Sequence, residues 1–502
     1  MDKKADFVSK VQNSYNPQGE FISLGAGILQ GEVFAEAQVK LPLKMMNRHG
    51  LIAGATGTGK TRTLQLIAEQ LSMAAVPVFM LDVKGDLSGL AEPGTTNAAI
   101  QERANAVGIP YSPESFPVEQ YALTGELGIP MRLRISEFGP VLLARILGLN
   151  DTQAGVLAAL FKFAEDQQMP LVDLADVKKL VNYLSEGAGA DLIKADYGKI
   201  STSSAGAIIR KIVALEQQGI AAIFGERQFD IQDLFQRVDG KGVISLLNIV
   251  AIQNQPVLFS TFLWGLLAQL FKELPEVGDL PKPKLVFFFD EAHLLFQDAS
   301  KSFLTQVEQV VRLIRSKGVG VFFCTQAATD LPDSVLAQLG NRVQHALRAF
   351  TPNDAEALRK TVKTYPRSAF YEIDQLLTSL GTGQALITVL NEKGIPTEVV
   401  ATHLRPALAV MGPASAATQQ QLLQQSPLLA KYKQAILSRS AAEIIDEKMS
   451  SRETAEKGST TRRMSPLESA QRTASNTLAR EGVKLLGKIA TGILNAFLKK
   501  KR

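Results

Sequence analysis

The stretch GLIAGATGTGKT, residues 50–61, decides the fold. Its first four residues are apolar and predict a short strand, and residues 61–73 predict an amphipathic helix. A second apolar strand is predicted at Val76 to Leu81. A strand, a glycine-rich turn, a helix and a strand in this order predict an α/β unit whose turn binds phosphate. The apolar residues of the helix recur at helical spacing: Leu64, Ile67, Ala68 and Leu71.

The turn itself fits the pattern G-x-x-x-x-G-K-[ST]. Glycines let backbone N–H groups point inward at phosphate oxygens, and the start of the helix adds its dipole. Lys60 is predicted to reach the β- and γ-phosphates, and the Thr61 hydroxyl to ligate Mg²⁺. The alternative, a glycine-rich turn with an exposed lysine, fits poorly because a strand precedes the turn and a helix follows it. The predicted nucleotide-binding residues are Gly54, Ala55, Thr56, Gly57, Thr58, Gly59, Lys60 and Thr61.

A further apolar strand is predicted from Lys284 to Asp290. It ends in the carboxylate of Asp290, and Glu291 follows with another carboxylate. Asp290 is predicted to hold Mg²⁺ through water, and Glu291 to polarise the attacking water as a general base. A solvated strand end is the alternative for such an acid pair. His293 invites comparison with helicase boxes spelled D-E-A-H, but one histidine after a carboxylate pair is more often structural.

Two further polar segments follow apolar strands. Gln326 comes after the strand Gly318 to Thr325 and is predicted to sense the γ-phosphate or orient water, or else to be an ordinary strand-terminal amide. The turn that contains Lys84 and Asp86 follows the strand that ends near Leu81. Ligands of open α/β sheets bind at this edge, so these two residues either line the site or begin the next segment.

Hydrolysis of a phosphoanhydride also needs positive charge on the developing phosphate oxygens. Arg342 and Arg348 are the candidates, within a strand predicted near residues 342–350. Their even spacing would place them on one face of that strand. One of them is predicted to act as an arginine finger in a neighbouring subunit's site, and a surface ion pair is the alternative.

The remaining pattern predicts an α/β protein with a mostly parallel sheet, because apolar strands alternate with helices from Gly242 onward. A helical insertion interrupts the core, a short β segment precedes it, and an Ala/Gln-rich tail follows. We predict that residues 448–475 are disordered and that Thr477 to Leu498 form a basic amphipathic helix. The predicted divisions are 1–48 for the β segment, 49–90 with 240–412 for the core, 91–239 for the insertion and 413–502 for the tail.

Composition excludes several classes of protein. Of the 502 residues, 46% are hydrophobic and 21% charged, which excludes a disordered chain, a collagen and a coiled-coil rod. The single Cys324 excludes a disulfide framework and a cysteine-rich metal site. No signal peptide is visible, and the apolar helix Val257 to Phe271 has 15 residues where roughly 20 are needed to span a bilayer. We therefore expect a buried core helix and a cytoplasmic protein.

The charge is distributed unevenly. Residues 448–502 contain 13 Lys and Arg against four Asp and Glu, a net charge of +9, while the other 447 residues carry 41 against 45, a net charge of −4. The overall charge of +5 therefore describes the tail and is poor evidence for nucleic acid binding by the body. The tail is predicted to dock on the protein's own assembly, with nucleic acid or an anionic membrane as alternative partners.

Five blocks of the sequence match a known family together: GATGTGKT (54–61), DVKGD (82–86), FFFDEAHLLF (287–296), RLIRSKGVG (312–320) and QLGNRVQHALR (338–348). With these blocks the chain resembles the bacterial YjgR-type proteins, a branch of the HerA–FtsK group of P-loop ATPases. The resemblance runs from about Gly25 to Pro413. Two features depart from it: a β-barrel segment that looks shortened ahead of the glycine-rich loop, and the long helical insertion.

The resemblance implies a RecA-like sheet with an added strand between the two Walker strands, and a ring-forming, typically hexameric motor that uses ATP to pump double-stranded DNA. It also implies that nucleotide binds between subunits. By the same resemblance Lys60 and Thr61 are the Walker A pair, Asp290 and Glu291 the Walker B pair and Gln326 the sensor. Arg348 matches the trans arginine better than Arg342 does.

We therefore expect an ATP- and Mg²⁺-dependent NTPase that forms a homo-oligomeric ring and translocates or remodels DNA. The alternative is a nucleotide-gated scaffold or remodelling ATPase that acts on a protein partner through the helical insertion. The acidic body favours this alternative, since DNA motors usually need a basic channel. Membrane association through the tail is a weaker, third hypothesis.

Overall fold

The computed structural model describes residues 3–124, 128–296, 301–434 and 439–460. The chain divides into two units, Met1–Ala441 and Ala442–Arg502. The predicted amphipathic helix at 477–498 lies outside the described residues.

Helices and strands follow one another along the described residues. The first half contains α1 (Lys3–Ser14), β1 (Phe21–Leu29), β2 (Glu32–Pro42), β3 (Gly50–Ala53), α2 (Lys60–Met73), β4 (Val78–Asp82), α3 (Ala98–Val107), β5 (Val118–Ala122), β6 (Ile129–Pro130), α4 (Ile135–Phe138), α5 (Pro140–Ile146), α6 (Asp151–Asp166), α7 (Leu174–Ser185), α8 (Ala190–Asp196), α9 (Thr202–Gln217), β7 (Arg237–Val238) and β8 (Lys241–Gly242). The second half contains β9 (Ile244–Asn248), α10 (Pro256–Glu273), β10 (Leu285–Phe289), α11 (His293–Phe296), α12 (Lys301–Ile314), β11 (Val319–Thr325), α13 (Asp333–Leu336), β12 (Asn341–Gln344), α14 (Pro352–Lys363), α15 (Ile373–Ser379), β13 (Gln384–Thr388), β14 (Val400–Leu404), α16 (Ala416–Gln425), α17 (Pro427–Lys433) and α18 (Ala441–Thr460).

One large mixed sheet organises the first unit. Within the described residues its strand order is β2-β1-β14-β13-β12-β3-β11-β10-β4-β9-β5-β6. The strands from β12 to β6 pair in parallel, whereas β13, β14, β1 and β2 continue the sheet with antiparallel pairing. The predicted α/β, mostly parallel sheet is confirmed, and β11 is the added strand between β3 and β10 that the resemblance implies.

The central strands are buried because they are apolar on both faces. All five residues of β10 and all seven of β11 are buried, and the rings of Phe289 and Phe323 stack with centroids 5.5 Å apart. Helix α10 covers one side, and its Trp264 lies 5.8 Å from Phe289. Helix α10 is therefore a core helix, as its short apolar stretch predicted. Within the described ranges, no helix combines the length and the apolar character needed to cross a bilayer.

His49 anchors the start of β3. Its Nδ1 accepts from Val321 N at 3.0 Å in β11, and its Nε2 lies 2.7 Å from Val311 O in α12. Both contacts are satisfied by a neutral imidazole that carries its proton on Nε2. Burial lowers the pKa of His49 to about 4, and the nearby arginines add to this effect. The neutral ring therefore joins the strand before the glycine-rich turn to its neighbours.

Several elements differ from expectation. Helices α1 and α3 were not predicted, because α1 buries only Phe7 and Val11 and α3 only Ala104 and Val107, so neither shows a strong apolar period. The disorder predicted from residue 448 is wrong as far as residue 460, because α18 extends to Thr460.

Candidate active site

The glycine-rich loop lies at the carboxyl end of β3, in the middle of the sheet. Its backbone is tied to the strands on both sides. Gly54 N donates to Thr325 O at the end of β11 (3.2 Å), and Ala55 N donates to Ala346 O beyond β12 (2.8 Å). Within the loop Thr58 Oγ1 donates to Ala55 O at 2.7 Å. The loop conformation is therefore set by the sheet beneath it.

The first turn of α2 has the features of an anion site. Gly59 is the N-cap and supplies no side-chain cap, so no side chain competes for the first N–H groups of the helix. Lys60 is buried, and its Nζ donates to Gly54 O (2.7 Å) and Ala55 O (3.2 Å) across the loop. An uncapped helix start with a lysine beside it fits a phosphate group, which the N–H groups and the ammonium would bind.

The predicted acid pair comes directly after β10. Asp290 is 5% exposed, and its Oδ1 accepts from Glu291 N at 3.0 Å. Burial raises the pKa of Asp290, and the neighbouring Glu291 raises it further, while a hydrogen bond with the Cys324 thiol lowers it. The Glu291 Oε2 atom is buried and has no hydrogen-bond partner among the described residues. An unpartnered carboxylate oxygen is costly to bury, which suits a site where a ligand or water completes the bonding.

The turn after β4 brings charges to the same place. The buried carboxylate of Asp82 accepts from Gly85 N (2.8 Å), Asp86 N (3.1 Å) and Leu87 N (3.3 Å), which closes a compact turn. Burial raises the pKa of Asp82 to about 6. Lys84, at the tip of this turn, places its Nζ 3.3 Å from Glu291 Oε1. Burial alone lowers the pKa of Lys84, but the carboxylates around it raise the pKa overall.

Residues 405–412 form a strap across α2. Arg62 donates to Ala409 O at 3.2 Å, and the Glu69 carboxylate accepts from Leu408 N (2.7 Å) and Ala409 N (2.9 Å). Burial raises the pKa of Glu69 to about 7, although the two N–H donors and Arg62 oppose the rise. The strap was not anticipated, because its bonds join residues more than 300 positions apart in the sequence.

These elements enclose a cleft of about 710 Å³, a size typical of small-molecule sites. The phosphate loop, the acid pair and the β4 turn lie on its walls together with α3 and the strap. The sequence left open whether Lys84 and Asp86 line the site, and the structure places both on its walls. The other lining residues include Lys60, Thr61, Arg62, Arg103, Tyr111, Asp290, Glu291, Arg405 and Met411.

Six predicted residues do not line this cleft in the described part of the chain. Three belong to the loop itself, Gly54, Ala55 and Thr58, and the other three are Gln326, Arg342 and Arg348. Gln326 follows β11 and is exposed. The strand predicted to carry both arginines is wrong in length, because β12 ends at Gln344. Arg348 is exposed beyond it and donates to Thr378 O at 3.0 Å, whereas Arg342 donates to three backbone carbonyls and lies over Tyr365. The shared strand face expected for these arginines therefore does not exist.

The donor set for a metal is small. Among the described residues no cluster of three or more His, Cys, Asp or Glu side chains could hold a metal ion. The cleft is lined by the Thr61 hydroxyl and by the carboxylates of Asp86, Asp290 and Glu291. The Thr61 hydroxyl with the Asp290 carboxylate suits Mg²⁺, which commonly takes its remaining ligands from water and phosphate.

Two kinds of relative are similar to this chain. The DNA double-strand break repair helicase HerA of Sulfolobus acidocaldarius is 20% identical over 384 residues, which cover 72% of this chain. The alignment spans 66% of that relative's length, just under two thirds. Among solved structures, the plasmid coupling protein TrwB in complex with ADP and Mg²⁺ is 14% identical with a TM-score of 0.49, covering 79% of this chain and 99% of TrwB. VirB4 of Thermoanaerobacter pseudethanolicus is 14% identical with a TM-score of 0.46, and the match covers 80% of this chain and 99% of VirB4.

A family model matches far more of the chain than any single motif does. Residues 28–496 match the family described as helicase HerA-like C-terminal, which confirms the resemblance drawn from the sequence blocks. The chain belongs to the HerA-like C-terminal helicase family.

Proposed function

We propose that the protein is a Mg²⁺-dependent P-loop NTPase that hydrolyses ATP and works as a ring-forming motor on double-stranded DNA. The observation that carries the hydrolytic part is a single cleft. It contains an uncapped helix start, a buried lysine and an acid pair with one unpartnered oxygen. These are the groups that bind phosphates and activate water in P-loop enzymes.

Each side chain has a role in this proposal. The N–H groups of the loop and of the first turn of α2 bind the phosphates, and Lys60 exchanges its two carbonyl acceptors for phosphate oxygens. Thr61 and Asp290 hold Mg²⁺, which when bound neutralises charge on the phosphates. Glu291 accepts a proton from the attacking water, because its Oε2 has no competing donor.

Gln326 and Arg348 are proposed to complete the site between subunits. Gln326 lies at the carboxyl end of the strand between β3 and β10, at the edge of the sheet where the loop and the acid pair lie. Arg348 is exposed and has only a backbone carbonyl as hydrogen-bond acceptor in the described residues, so it can re-pair with a neighbouring subunit's phosphate. We assign the trans role to Arg348 because Arg342 already donates to three carbonyls.

Steady-state hydrolysis with Mg²⁺ tests the chemical part. Lys60→Ala and Glu291→Gln should each lower kcat by at least about 100-fold, since each removes a group that acts in the transition state. Lys272→Ala is the matched control, because Lys272 is an exposed lysine of α10 that pairs with Glu137 of α4. Hydrolysis by Lys60→Ala at the wild-type rate would refute the site assignment.

The DNA motor is the finer part of the proposal, and family membership supports it. The same assay should show stimulation by duplex DNA at low salt, with native mass spectrometry showing a hexamer in the presence of a non-hydrolysable ATP analogue. If duplex DNA neither binds nor stimulates at low salt, the motor hypothesis falls while the NTPase stands.

A second candidate, a nucleotide-gated ATPase that acts on a protein, is favoured by the charge distribution. The net charge of −4 on residues 1–447 disfavours a DNA channel built from the body alone. This candidate predicts that the full-length protein with bound ATP analogue captures a specific protein and retains no DNA. It also predicts that charge-reversal substitutions on exposed faces of α6 and α9 abolish that capture.

A further inference from the structure

The ion pair between Lys84 and Glu291 joins two neighbouring strand ends inside the cleft. Lys84 Nζ lies 3.3 Å from Glu291 Oε1, and the two side chains are 52% and 15% exposed. The strands that precede them, β4 and β10, pair in parallel, so both residues are at the same edge of the sheet. Neither the glycine-rich loop nor the acid pair requires a lysine at this position.

The backbone beneath Lys84 is held in place. Asp82 is 3% exposed, and its carboxylate accepts three backbone N–H groups on the far side of the turn. A turn closed by three bonds to one buried carboxylate presents the lysine from a constant position. The ammonium group of Lys84 can then move only by rotation about the bonds of its own four-carbon side chain.

The pair leaves the two oxygens of Glu291 unequal. Oε1 accepts from Lys84, while Oε2 is buried without a hydrogen-bond partner among the described residues. His293 Nδ1 approaches Oε2 only to 3.6 Å, which is too long for a hydrogen bond. When a cation holds one oxygen of a carboxylate, the direction of the other oxygen is also defined. A general base needs its accepting oxygen to have such a defined direction.

We propose that Lys84 is a positioning residue for Glu291: its ammonium holds Oε1 so that Oε2 is the oxygen that accepts the proton of the attacking water. The inference rests on the proposed hydrolytic function. It assigns to the β4 turn a part in catalysis and none in nucleotide binding. A misplacement of about 1 Å in a reacting group can cost on the order of 100-fold in rate.

Kinetics of the full-length protein test the inference. Lys84→Met should lower kcat between about 10- and 100-fold, while KM and the affinity for a fluorescent ADP analogue stay within about twofold of wild type. Lys84→Arg should restore a substantial part of the rate, because a guanidinium can reach the same oxygen. Lys272→Met, a surface lysine, is the matched control and should leave the rate unchanged.

A double-mutant comparison separates positioning from phosphate binding. In the Glu291→Gln background, adding Lys84→Met should change the residual rate less than about twofold, because no general base remains to be oriented. Equal losses in both backgrounds, a raised KM, or a kcat that is unchanged or increased by Lys84→Met would each overturn the inference. Suppose that wild type hydrolyses ATP and Lys60→Ala does not. Any of these three outcomes for Lys84→Met then refutes the role of Lys84 and leaves the proposed hydrolytic function standing. A wild type without Mg²⁺-dependent hydrolysis refutes the proposed function and the inference with it.

Discussion

Two glycines of the phosphate loop should lose different amounts of stability when the same methyl group is added to each. A Cβ built on Gly54 would lie 2.4 Å from His345 Cβ and 3.1 Å from His345 Cα, whereas one built on Gly57 meets no atom within 4 Å. His345 cannot give way, because its N donates to Ala53 O (2.7 Å) and its Nε2 lies 2.9 Å from Thr63 Oγ1 in the buried core. The clash at Gly54 therefore falls on the packed junction of β3, β12 and α2.

Backbone strain and overpacking contribute separately to the loss of stability. Gly54 has φ 154° and Gly57 has φ 78°, so an L-residue is strained at either position by roughly 1–2 kcal/mol. Overpacking adds about 1–3 kcal/mol at Gly54 and nothing at Gly57. We expect Gly54→Ala to lower the free energy of unfolding by about 2–5 kcal/mol and Gly57→Ala by about 1–2 kcal/mol.

Urea unfolding followed by tryptophan fluorescence measures this difference, because Trp264 is the protein's single tryptophan and is 3% exposed beside Phe289. Gly57 lines the cleft, so Gly57→Ala should weaken binding of a fluorescent ATP analogue more than its small loss of stability suggests. The reasoning is refuted if Gly54→Ala unfolds within about 1 kcal/mol of wild type, or if Gly57→Ala is destabilised as much as Gly54→Ala.

Further predictions concern titration and the trans arginine. The raised pKa of Glu69, about 7 against an ordinary 4.5, means that Glu69 contributes a loss of stability as pH rises from 4.5 to 7. Glu69→Gln should lack that loss, so the urea midpoint of the variant should rise relative to that of wild type as pH rises. Urea midpoints that change in parallel with pH in the two proteins would contradict this. The lowered pKa of His49, about 4 against 6.5, has the opposite sign, because neutral His49 stabilises above pH 6.5 and that stabilisation is lost as pH falls to 4. The stability gap between wild type and His49→Phe should therefore narrow from pH 7.5 to pH 4.5, and a constant gap would exclude the effect. Arg348→Ala should lower kcat with unchanged urea stability, whereas Arg342→Ala should lower stability through its lost carbonyl bonds; the reverse result would reassign the two arginines.

Much of the fold could be predicted because the core strands and helices carry local patterns. Strands β10 and β11 are apolar throughout, so their burial on both faces follows from composition. Helix α2 was predicted to within one residue at its start, because its apolar residues have helical spacing and the turn before it is a motif. Helices with only two buried residues, such as α1, have too weak a pattern to be predicted.

Part of the candidate site could likewise be predicted from local sequence, and part of it could not. The loop from Gly54 to Thr61 and the pair Asp290 and Glu291 are continuous segments, and their side chains meet because parallel strands end at one edge. The placement of Arg348 could not be predicted, since the end of β12 at Gln344 depends on pairing with β3 and β13. The strap likewise depends on Glu69 meeting backbone N–H groups far away in the sequence.

The amino-acid sequence by itself determined a parallel α/β core, a phosphate loop after β3 and an acid pair after β10. The loop and the acid pair each occupy fewer than fifteen consecutive residues, and the core follows from apolar strands that alternate with helices, so local patterns constrain all three strongly. Only the tertiary structure decided that Lys84 pairs with Glu291 and that the strap closes the cleft. Those contacts join residues hundreds of positions apart, and they form because buried polar groups must find partners wherever packing places them.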